Sequence, residues 1–209
     1  MKDPYGRSAR FYNPFVEPWL RSVKKKIVAE CLRLNLGPVL DVGCGTGTLI
    51  GMLRREGIRA LGVEPSQGMI RVSRDTSPDT TGWIRSGGEC LPFHSRSFRG
   101  VILSMVLHEN PAPRRREILR ESLRVLDSGG NLFILDYSKP SAPFGKAARS
   151  MAYLVERVVG GEHFRNYRQF MQEGALPAFL NHLPPDRLHW EPVFHGSMSL
   201  AKISKETGA

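Results

Sequence analysis

The alternation of β-rich and helical segments in the middle of the chain constrains its fold most. Short β-rich runs lie at 39–42, 60–63, 83–84, 101–104 and 131–135, and helical patterns separate them at 49–56, 67–74 and 114–126. Strands that alternate with helices pair in parallel, because each helix returns the chain to the start of the next strand. The cores of these strands are apolar without alternation, as expected when helices cover both faces of a sheet. The pattern therefore predicts an α/β fold with a mostly parallel sheet.

The segments on either side of this core fit the same domain. A chain of 209 residues is the size of one α/β domain. Positions 1–36 predict a helical lead-in, which Gly37-Pro38 ends because the residue before a proline disfavours the helical conformation. Positions 37–137 hold the core, 138–186 predict a helical cover and 187–209 predict a closing antiparallel hairpin. We therefore expect a single domain with seven strands.

The net charge of the chain does not identify a binding partner by itself. A net charge of +10 would suit nucleic acid, an anionic membrane surface or an acidic substrate. The basic runs at 24–26 and 114–116 lie in helical patterns without interleaved aromatic residues, which favours solvated helix faces over a nucleic-acid site. Nucleic acid is therefore a possible partner but not the favoured one.

The cysteines and the apolar runs predict a cytoplasmic protein with free thiols. Cys31, Cys44 and Cys90 show neither Cys-x-x-Cys spacing nor nearby histidine pairs, so they predict no metal site. No apolar run approaches the roughly 20 residues that span a bilayer, and positions 1–4 lack the apolar core of a secretion signal. We expect no stable membrane insertion.

An apolar strand runs directly into closely spaced glycines. Positions 39–47 read VLDVGCGTG, and a helical pattern follows at once. Glycine is needed where the backbone turns sharply and lets a ligand approach main-chain N–H groups. A glycine-rich turn alone is weak evidence, because dinucleotide enzymes also place one there and some such turns are merely tight packing. The spacing Gly-x-Gly-x-Gly lacks the dinucleotide fingerprint and disfavours an NAD-dependent oxidoreductase.

Two acidic residues accompany the glycines. Asp41 precedes them at the strand end, where it would repel a pyrophosphate but suits the ammonium of a methionine moiety. Glu64 ends the next β-rich run, where a carboxylate can accept both hydroxyl protons of a ribose. Alternatively, Glu64 is an exposed acid that caps the helix starting at Pro65-Ser66. Together the two acids favour a cationic cofactor.

Further motifs resemble those of class I S-adenosylmethionine-dependent methyltransferases. They are LDVGCGTG at 40–47, VEPSQGM at 63–69, ECLPF at 89–93, SMVLH at 104–108 and RVLDSGG at 124–130. The closest branch is that of the ubiquinone/menaquinone biosynthesis C-methyltransferases, and the resemblance covers about 11–137. It implies a Rossmann-like fold with a mostly parallel seven-stranded sheet. It also implies S-adenosyl-L-methionine as cofactor and S-adenosyl-L-homocysteine as product.

The resemblance also implies which residues bind the cofactor. Met69 lies against the adenine, positions 88–90 line the adenine edge, and positions 104–106 run beneath the methionine portion. Tyr12 is similar to an N-terminal aromatic residue that folds over the cofactor. Each residue has an alternative: Met69 could pack in a helix core, Tyr12 could lie on the surface, and Ser104 could be an ordinary residue at a strand end. The predicted cofactor-binding residues are Tyr12, Asp41, Gly43, Cys44, Gly45, Gly47, Glu64, Pro65, Met69, Gly88, Glu89, Cys90, Ser104 and Met105.

His108 is the candidate catalytic residue. Methyl transfer is an in-line displacement, which demands alignment in a dry site more than covalent catalysis. A general base would help if the acceptor is a phenol-like carbon or oxygen. His108 follows the fourth strand at the mouth of the sheet, with Tyr137, His163 and Tyr167 as further candidates. A histidine there is as often a packing or cofactor-contact residue.

Two departures from the resemblance keep other functions open. Gly87 stands where relatives commonly carry an acceptor for the adenine amino group, so Glu89 or a backbone carbonyl would replace it. Arg99 stands where they carry aspartate. The apolar and aromatic late helices favour a small hydrophobic or aromatic acceptor. The alternatives are a non-catalytic cofactor-binding regulator or scaffold and an RNA or protein methyltransferase, and the oligomeric state is open.

Overall fold

Seven strands form one sheet in the computed structural model, which describes residues 9–76, 82–140, 150, 153–154, 156–157 and 161–206. The order across the sheet is β3-β2-β1-β4-β5-β7-β6. The first five of these strands are parallel, whereas β7 is antiparallel to both β5 and β6. The strands are β1 (Val39–Val42), β2 (Ala60–Val63), β3 (Trp83–Ile84), β4 (Phe98–Ser104), β5 (Leu126–Tyr137), β6 (Leu188–Val193) and β7 (Met198–Ser204). The predicted fold, including its closing hairpin, is confirmed.

Helices connect the parallel strands and flank the sheet. They are α1 (Ala9–Arg33), α2 (Thr48–Arg55), α3 (Gln67–Thr76), α4 (Ala112–Val125), α5 (Gly161–Gln172) and α6 (Ala175–Phe179). The helical cover predicted at 138–186 lies partly outside the described residues; those described between 150 and 157, at 150, 153–154 and 156–157, are helical. A break at Gly174 separates α5 from α6, and Gly174 has a left-handed φ of 107°. No helix of the described residues is both long and apolar enough to cross a membrane.

The end of α4 differs from the sequence prediction. The helix stops at Val125, and β5 starts at Leu126 instead of 131. Leu126 pairs with Phe98, and the ladder resumes only where Asn131 pairs with Gly100, so positions 127–130 are an insertion in the strand. A Cβ at Gly130 would lie 2.8 Å from the carbonyl oxygen of Arg99. Gly130 therefore allows a close approach between β4 and β5.

The core lies on both faces of the central strands and fixes the position of their ends. Every residue of β1 is buried, and in β5 all residues from Asn131 to Tyr137 are buried. Fully burying one large aliphatic side chain stabilises a fold by roughly 1.5–3 kcal/mol, so these strands form its most stable part. The carboxyl ends of β1, β2, β4 and β5 lie at one edge of the sheet, which is where open α/β folds bind ligands.

Candidate functional site

The glycine turn (positions 43–47) follows β1 at this edge. Gly43, Gly45 and Gly47 have φ values of 73°, 55° and 75°, in the left-handed region that favours glycine. A Cβ at Gly43 would lie 2.6 Å from Cγ2 of Val106, so a side chain there would overlap the loop after β4. A Cβ at Gly45 would meet nothing within 4 Å. The turn is therefore closed against the protein at Gly43 and open at Gly45, where a ligand can approach the backbone.

Glu64 connects β2 to this turn. Its carboxylate is buried and accepts hydrogen bonds from the backbone N–H of Gly45 at 2.9 Å and of Ser66 at 2.8 Å. Burial raises the pKa of Glu64 to about 7, although the two N–H donors partly oppose this shift. The hydroxyl of Ser66 accepts from the N–H of Met69 at 3.1 Å and so caps α3. The alternative of Glu64 as an exposed cap is therefore wrong.

Asp41 adds a second buried acid near the same edge. It belongs to β1, is 2% exposed, and pairs with Gly62 and Ile102 on the neighbouring strands. Its negative charge contributes to the raised pKa values of Glu64 and of the Cys44 thiol, for which burial is the main cause. Two buried carboxylates with little solvent around them create a negative potential. That potential favours a cationic ligand over a phosphate.

The remaining predicted cofactor residues surround the glycine turn unevenly. Gly88 packs closely on β1, because a Cβ there would lie 2.8 Å from Cγ1 of Val42. Met69 and Met105 are buried, whereas Pro65 and Cys90 are exposed and Glu89 is half-buried, 3.5 Å from Arg114. Cys44 packs toward β2, since a Cβ at Gly62 would lie 2.6 Å from its sulfur. The side chain of Tyr12 lies outside the described part of the structure.

Ser104 offers an unsatisfied hydrogen-bonding group at the end of β4. Its hydroxyl oxygen is buried and has no hydrogen-bond partner among the residues that the structure describes. Buried hydroxyl groups normally find a partner in the protein, in ordered water or in a ligand. Met105 follows with a φ of 62°, which is rare for a residue with a side chain. This strand end therefore combines a free hydroxyl with a constrained backbone, as ligand sites often do.

His108 lies beyond this strand end, buried against β5. Its Nδ1 lies 2.8 Å from Oδ1 of Asp136, and its Nε2 lies 3.5 Å from Oε1 of Glu156. Burial by itself would lower the pKa of His108, but the charges of Asp136 and Glu156 outweigh it and raise that pKa well above its ordinary value. The two carboxylates therefore favour the protonated, cationic ring.

Asp136 holds this arrangement in place from the end of β5. Its Oδ2 accepts the N–H of Leu107 at 2.9 Å and that of His108 at 3.3 Å. Its Oδ1 accepts the N–H of Tyr137 at 2.8 Å in addition to the ring of His108. Both carboxylate oxygens thus act as acceptors for more than one donor, which fixes the orientation of the imidazole.

Glu156 receives donors from several elements. Tyr137 donates its hydroxyl to Oε1 at 2.7 Å, and His163 of α5 donates Nε2–H to Oε2. Burial would raise the pKa of Glu156, but the neighbouring His108 and His163 lower it well below its ordinary value, so the carboxylate is charged. We call His108, Asp136, Tyr137, Glu156 and His163 the histidine cluster.

The four side chains that the sequence offers as a general base lie in or beside the histidine cluster, with Tyr167 as its neighbour. Ring centroids lie 4.7 Å apart for His108 and Tyr137, 5.0 Å for Tyr137 and Tyr167, and 5.6 Å for His108 and His163. All four candidate bases therefore meet at one place. Sequence reasoning missed Asp136 and Glu156. The signal for Asp136 was available, since it is the penultimate residue of an apolar strand, as Asp41 is, whereas Glu156 carries no local signal.

Arg115 corrects the view that positions 114–116 form a solvated helix face. It is 1% exposed, and its Nε donates to the carbonyl oxygens of Leu107 and Asn110 at 3.1 and 2.7 Å. Its two terminal nitrogens donate to the carbonyl oxygen of Asn166 at 3.0 Å and to Glu173 at 2.7 Å. The guanidinium therefore ties the loop after β4 to α5 and supports the histidine cluster from outside.

One set of side chains in the described part of the chain has the spacing of metal ligands. His108, Glu109 and His163 present ligand atoms within 4.8 Å of one another. Imidazole and carboxylate groups are ligands for several divalent metals. The prediction of no metal site was drawn from the cysteines and from histidine spacing along the chain, and it stays a prediction.

Comparison with known proteins agrees with the fold. Residues 39–130 match a family described as a methyltransferase domain. The chain is 28% identical over 128 residues to the ubiquinone/menaquinone biosynthesis C-methyltransferase of Campylobacter jejuni, an alignment covering 58% of this chain and 53% of that protein. It is 27% identical over 165 residues to the ubiquinone biosynthesis O-methyltransferase of Xanthomonas oryzae, covering 77% of this chain and 67% of that protein. The chain spans about half the length of the first of these relatives.

A solved structure shares the same architecture. An O-methyltransferase family protein from Burkholderia thailandensis superposes with a TM-score of 0.72 at 16% identity, covering 97% of this chain and 61% of that one. The fold is the Rossmann-like fold of class I methyltransferases, and the match to the methyltransferase-domain family covers the central residues 39–130. The relatives found by sequence are methyltransferases of ubiquinone and menaquinone biosynthesis, which agrees with the resemblance seen in the sequence motifs.

Proposed function

We propose that this protein is an S-adenosylmethionine-dependent methyltransferase that acts on a small, ring-containing acceptor. The observation that carries the proposal is the pairing of the open glycine turn with two buried acids, Asp41 and Glu64, at the carboxyl ends of β1 and β2. A cationic cofactor with a ribose suits this pairing, whereas a dinucleotide would bring a pyrophosphate toward Asp41.

The residues present fit this cofactor. The open space where a Cβ of Gly45 would lie could admit the methionine portion of the cofactor, and Asp41 would lie near the ammonium group of that portion. Glu64 uses its oxygens for two backbone N–H groups, and carboxylate oxygens have further lone pairs for the ribose hydroxyls. The hydroxyl of Ser104, without a partner among the described residues, would serve as another polar contact. Met69, Gly88, Glu89 and Cys90 are the proposed surroundings of the adenine.

The chemistry of the cofactor leaves a limited set of tasks to the chain. When bound, S-adenosylmethionine supplies a methyl group on a positively charged sulfur, and the bonding pair stays on sulfur when the acceptor atom takes that methyl. The chain has to align the acceptor and exclude water. Buried residues around Ser104 and His108 provide such a dry environment.

We propose His108 as the residue that contacts the acceptor. The general-base role predicted from the sequence needs a neutral ring, which Asp136 and Glu156 oppose. A protonated His108 instead donates a hydrogen bond from Nε2, while Asp136 holds Nδ1. The aromatic rings of Tyr137, Phe164 and Tyr167 beside it suit a planar acceptor. The two relatives named above are described as quinone-biosynthesis methyltransferases, which is consistent with a ring-containing acceptor.

The test is binding of S-adenosylmethionine and S-adenosylhomocysteine by calorimetry. We expect micromolar dissociation constants, a typical strength for such a cofactor. Asp41→Ala and Glu64→Ala should each weaken binding at least about tenfold, a loss of about 1.4 kcal/mol. Asp75→Ala is the matched control, because it removes an exposed acid from α3 and should leave both affinities unchanged.

The outcomes separate the competing functions. No binding by the unaltered chain would overturn the proposal and favour a scaffold that has lost the cofactor. An RNA methyltransferase would reveal itself by binding to RNA that falls steeply with salt concentration. The cytoplasmic location remains a prediction from the sequence.

A further inference from the structure

The carboxylate of Glu156 is surrounded by hydrogen-bond donors from three separate parts of the fold. Tyr137 ends β5, His163 lies on α5, and His108 lies in the loop after β4. The side chains of Glu156 and His108 are only 7% and 2% exposed. A buried carboxylate that faces three donors has its hydrogen-bonding capacity well satisfied. Tyr137, His163 and His108 therefore form a binding site for one carboxylate.

This carboxylate-binding site coincides with the place where a methyl acceptor has to lie. If the proposed function holds, the methionine portion of the cofactor lies against Ser104 and Met105 at the end of β4. His108 is three residues beyond Met105, and Asp136 of the neighbouring strand accepts its backbone N–H. The Nε2 of His108, which we propose contacts the acceptor, lies 3.5 Å from Oε1 of Glu156, so an acceptor that takes this donor has to share or take the space of the Glu156 carboxylate.

Aromatic rings border the same space. Tyr167 lies 5.0 Å from Tyr137 and 6.4 Å from Phe164, and Tyr153 lies 5.1 Å from Phe164, measured between ring centroids. Flat faces of this kind pack well against a planar ring. The surroundings thus combine aromatic rings with three hydrogen-bond donors for an anion.

We infer that the methyl acceptor is a small aromatic acid, whose carboxylate takes the place of the Glu156 carboxylate among Tyr137, His163 and His108. Exchanging one carboxylate for another keeps the buried charges balanced around His108. A neutral acceptor that displaced Glu156 would leave three buried donors without an anion and the cationic His108 with Asp136 alone, which is costly in a buried site. The inference rests on the proposed function. It narrows the proposed class of methyl acceptors from small ring-containing molecules to small aromatic acids.

The test uses benzoate as the probe and benzamide as its neutral counterpart of the same shape. Both are titrated calorimetrically in the presence of saturating S-adenosylhomocysteine. Glu156→Ala removes a competitor that is tethered to the site and therefore present at high effective concentration. We expect benzoate to bind this variant at least about tenfold more tightly than the unaltered chain, while benzamide affinity changes by less than about threefold.

Two further variants make the result specific. Glu162→Ala removes an exposed acid six residues further along the chain and changes the net charge equally, so it should leave benzoate binding unchanged. His163→Ala, in the otherwise unaltered chain, should weaken benzoate binding about tenfold by removing one donor. This second variant keeps the test decisive if Glu156→Ala fails to fold.

Several results would overturn the inference. Equal affinities for benzoate and benzamide, or a neutral hydroquinone binding more tightly than benzoate, would show that the site does not select a carboxylate. A gain in Glu162→Ala as large as that in Glu156→Ala would reduce the effect to net charge. Binding of S-adenosylhomocysteine without preference for benzoate overturns this inference alone, whereas no binding of S-adenosylhomocysteine by the unaltered chain overturns the proposed function and this inference with it.

Discussion

The glycine turn and the histidine cluster lie at the same edge of the sheet but are built in opposite ways. The glycine turn is made of consecutive residues, and its shape depends on backbone conformation at Gly43, Gly45 and Gly47. The histidine cluster joins side chains that are 28 residues apart for His108 and Asp136, and its shape depends on ion pairs and hydrogen bonds. The glycine turn presents backbone N–H groups to a ligand, whereas the histidine cluster presents charged side chains.

This difference explains why the two regions suit different partners. A cofactor that many enzymes share needs the same backbone approach each time, and a local glycine pattern provides it. An acceptor that differs between enzymes needs side chains that can change independently. Because the two regions are stabilised by separate contacts, a change in one should leave the other intact.

The largest effect is expected from Asp136→Asn. Both carboxylate oxygens accept two donors each, so an amide in either orientation turns its NH₂ group toward N–H donors. It also leaves the cationic His108 with one carboxylate fewer. We expect the free energy of unfolding to fall by about 3–5 kcal/mol, measured by urea denaturation, as when a buried ion pair is broken.

The control for this change is Asp127→Asn on the same strand, where the side chain is half-buried and accepts one backbone N–H. That variant should stay within about 0.5 kcal/mol of the unaltered chain. Affinity of Asp136→Asn for S-adenosylhomocysteine should change by less than about threefold, or under about 0.7 kcal/mol. A loss of affinity as large as that of Glu64→Ala would show that the two regions are coupled, and the comparison would fail.

The next effect is expected from Gly43→Ala. Alanine at a left-handed φ costs about 1–2 kcal/mol by itself. Gly57→Ala isolates this cost, because Gly57 has a φ of 77° and a Cβ there would meet nothing within 4 Å. The overlap with Val106 should destabilise Gly43→Ala by about a further 1–3 kcal/mol in urea denaturation. Equal losses in the two variants would mean that the loop after β4 moves aside freely.

How far the sequence predicts each region follows from the same difference. The glycine spacing, Asp41 and Glu64 are local signals, so the glycine turn, the acids beside it and the parallel core could be predicted from the sequence, while the binding of a cofactor there stays a prediction. His108, Tyr137, His163 and Tyr167 could be proposed one at a time, but nothing along the chain indicated that they meet. Glu156, which joins them, lies in a helical cover whose placement depends on tertiary contacts. The burial of Arg115 was missed for the same reason.

The smallest effect concerns the pH dependence of stability in the absence of cofactor, and it again separates the regions. The folded pKa of Glu64 is about 7, above its ordinary value of 4.5. Between these pH values the folded chain holds a proton that the unfolded chain has released. The stability contributed by Glu64 is therefore fully present below 4.5 and is lost as pH rises through 7.

Glu64→Gln should remove this loss. Relative to the unaltered chain, its free energy of unfolding should rise by about 2–3 kcal/mol between pH 5 and pH 8, since each pKa unit corresponds to 1.36 kcal/mol. Glu56→Gln, an exposed acid at the end of α2, should show no such change. In the histidine cluster, the lowered pKa of Glu156 places its loss of stability below pH 4.5, outside this range. The pKa of His108 is raised above its ordinary 6.5, so its stabilisation is lost as pH rises beyond 6.5, equally in Glu64→Gln and in the unaltered chain, and it cancels in the comparison. A pH dependence that is identical in Glu64→Gln and the unaltered chain would mean that Glu64 is not desolvated, and the glycine turn would then have Asp41 as its one buried acid among the described residues.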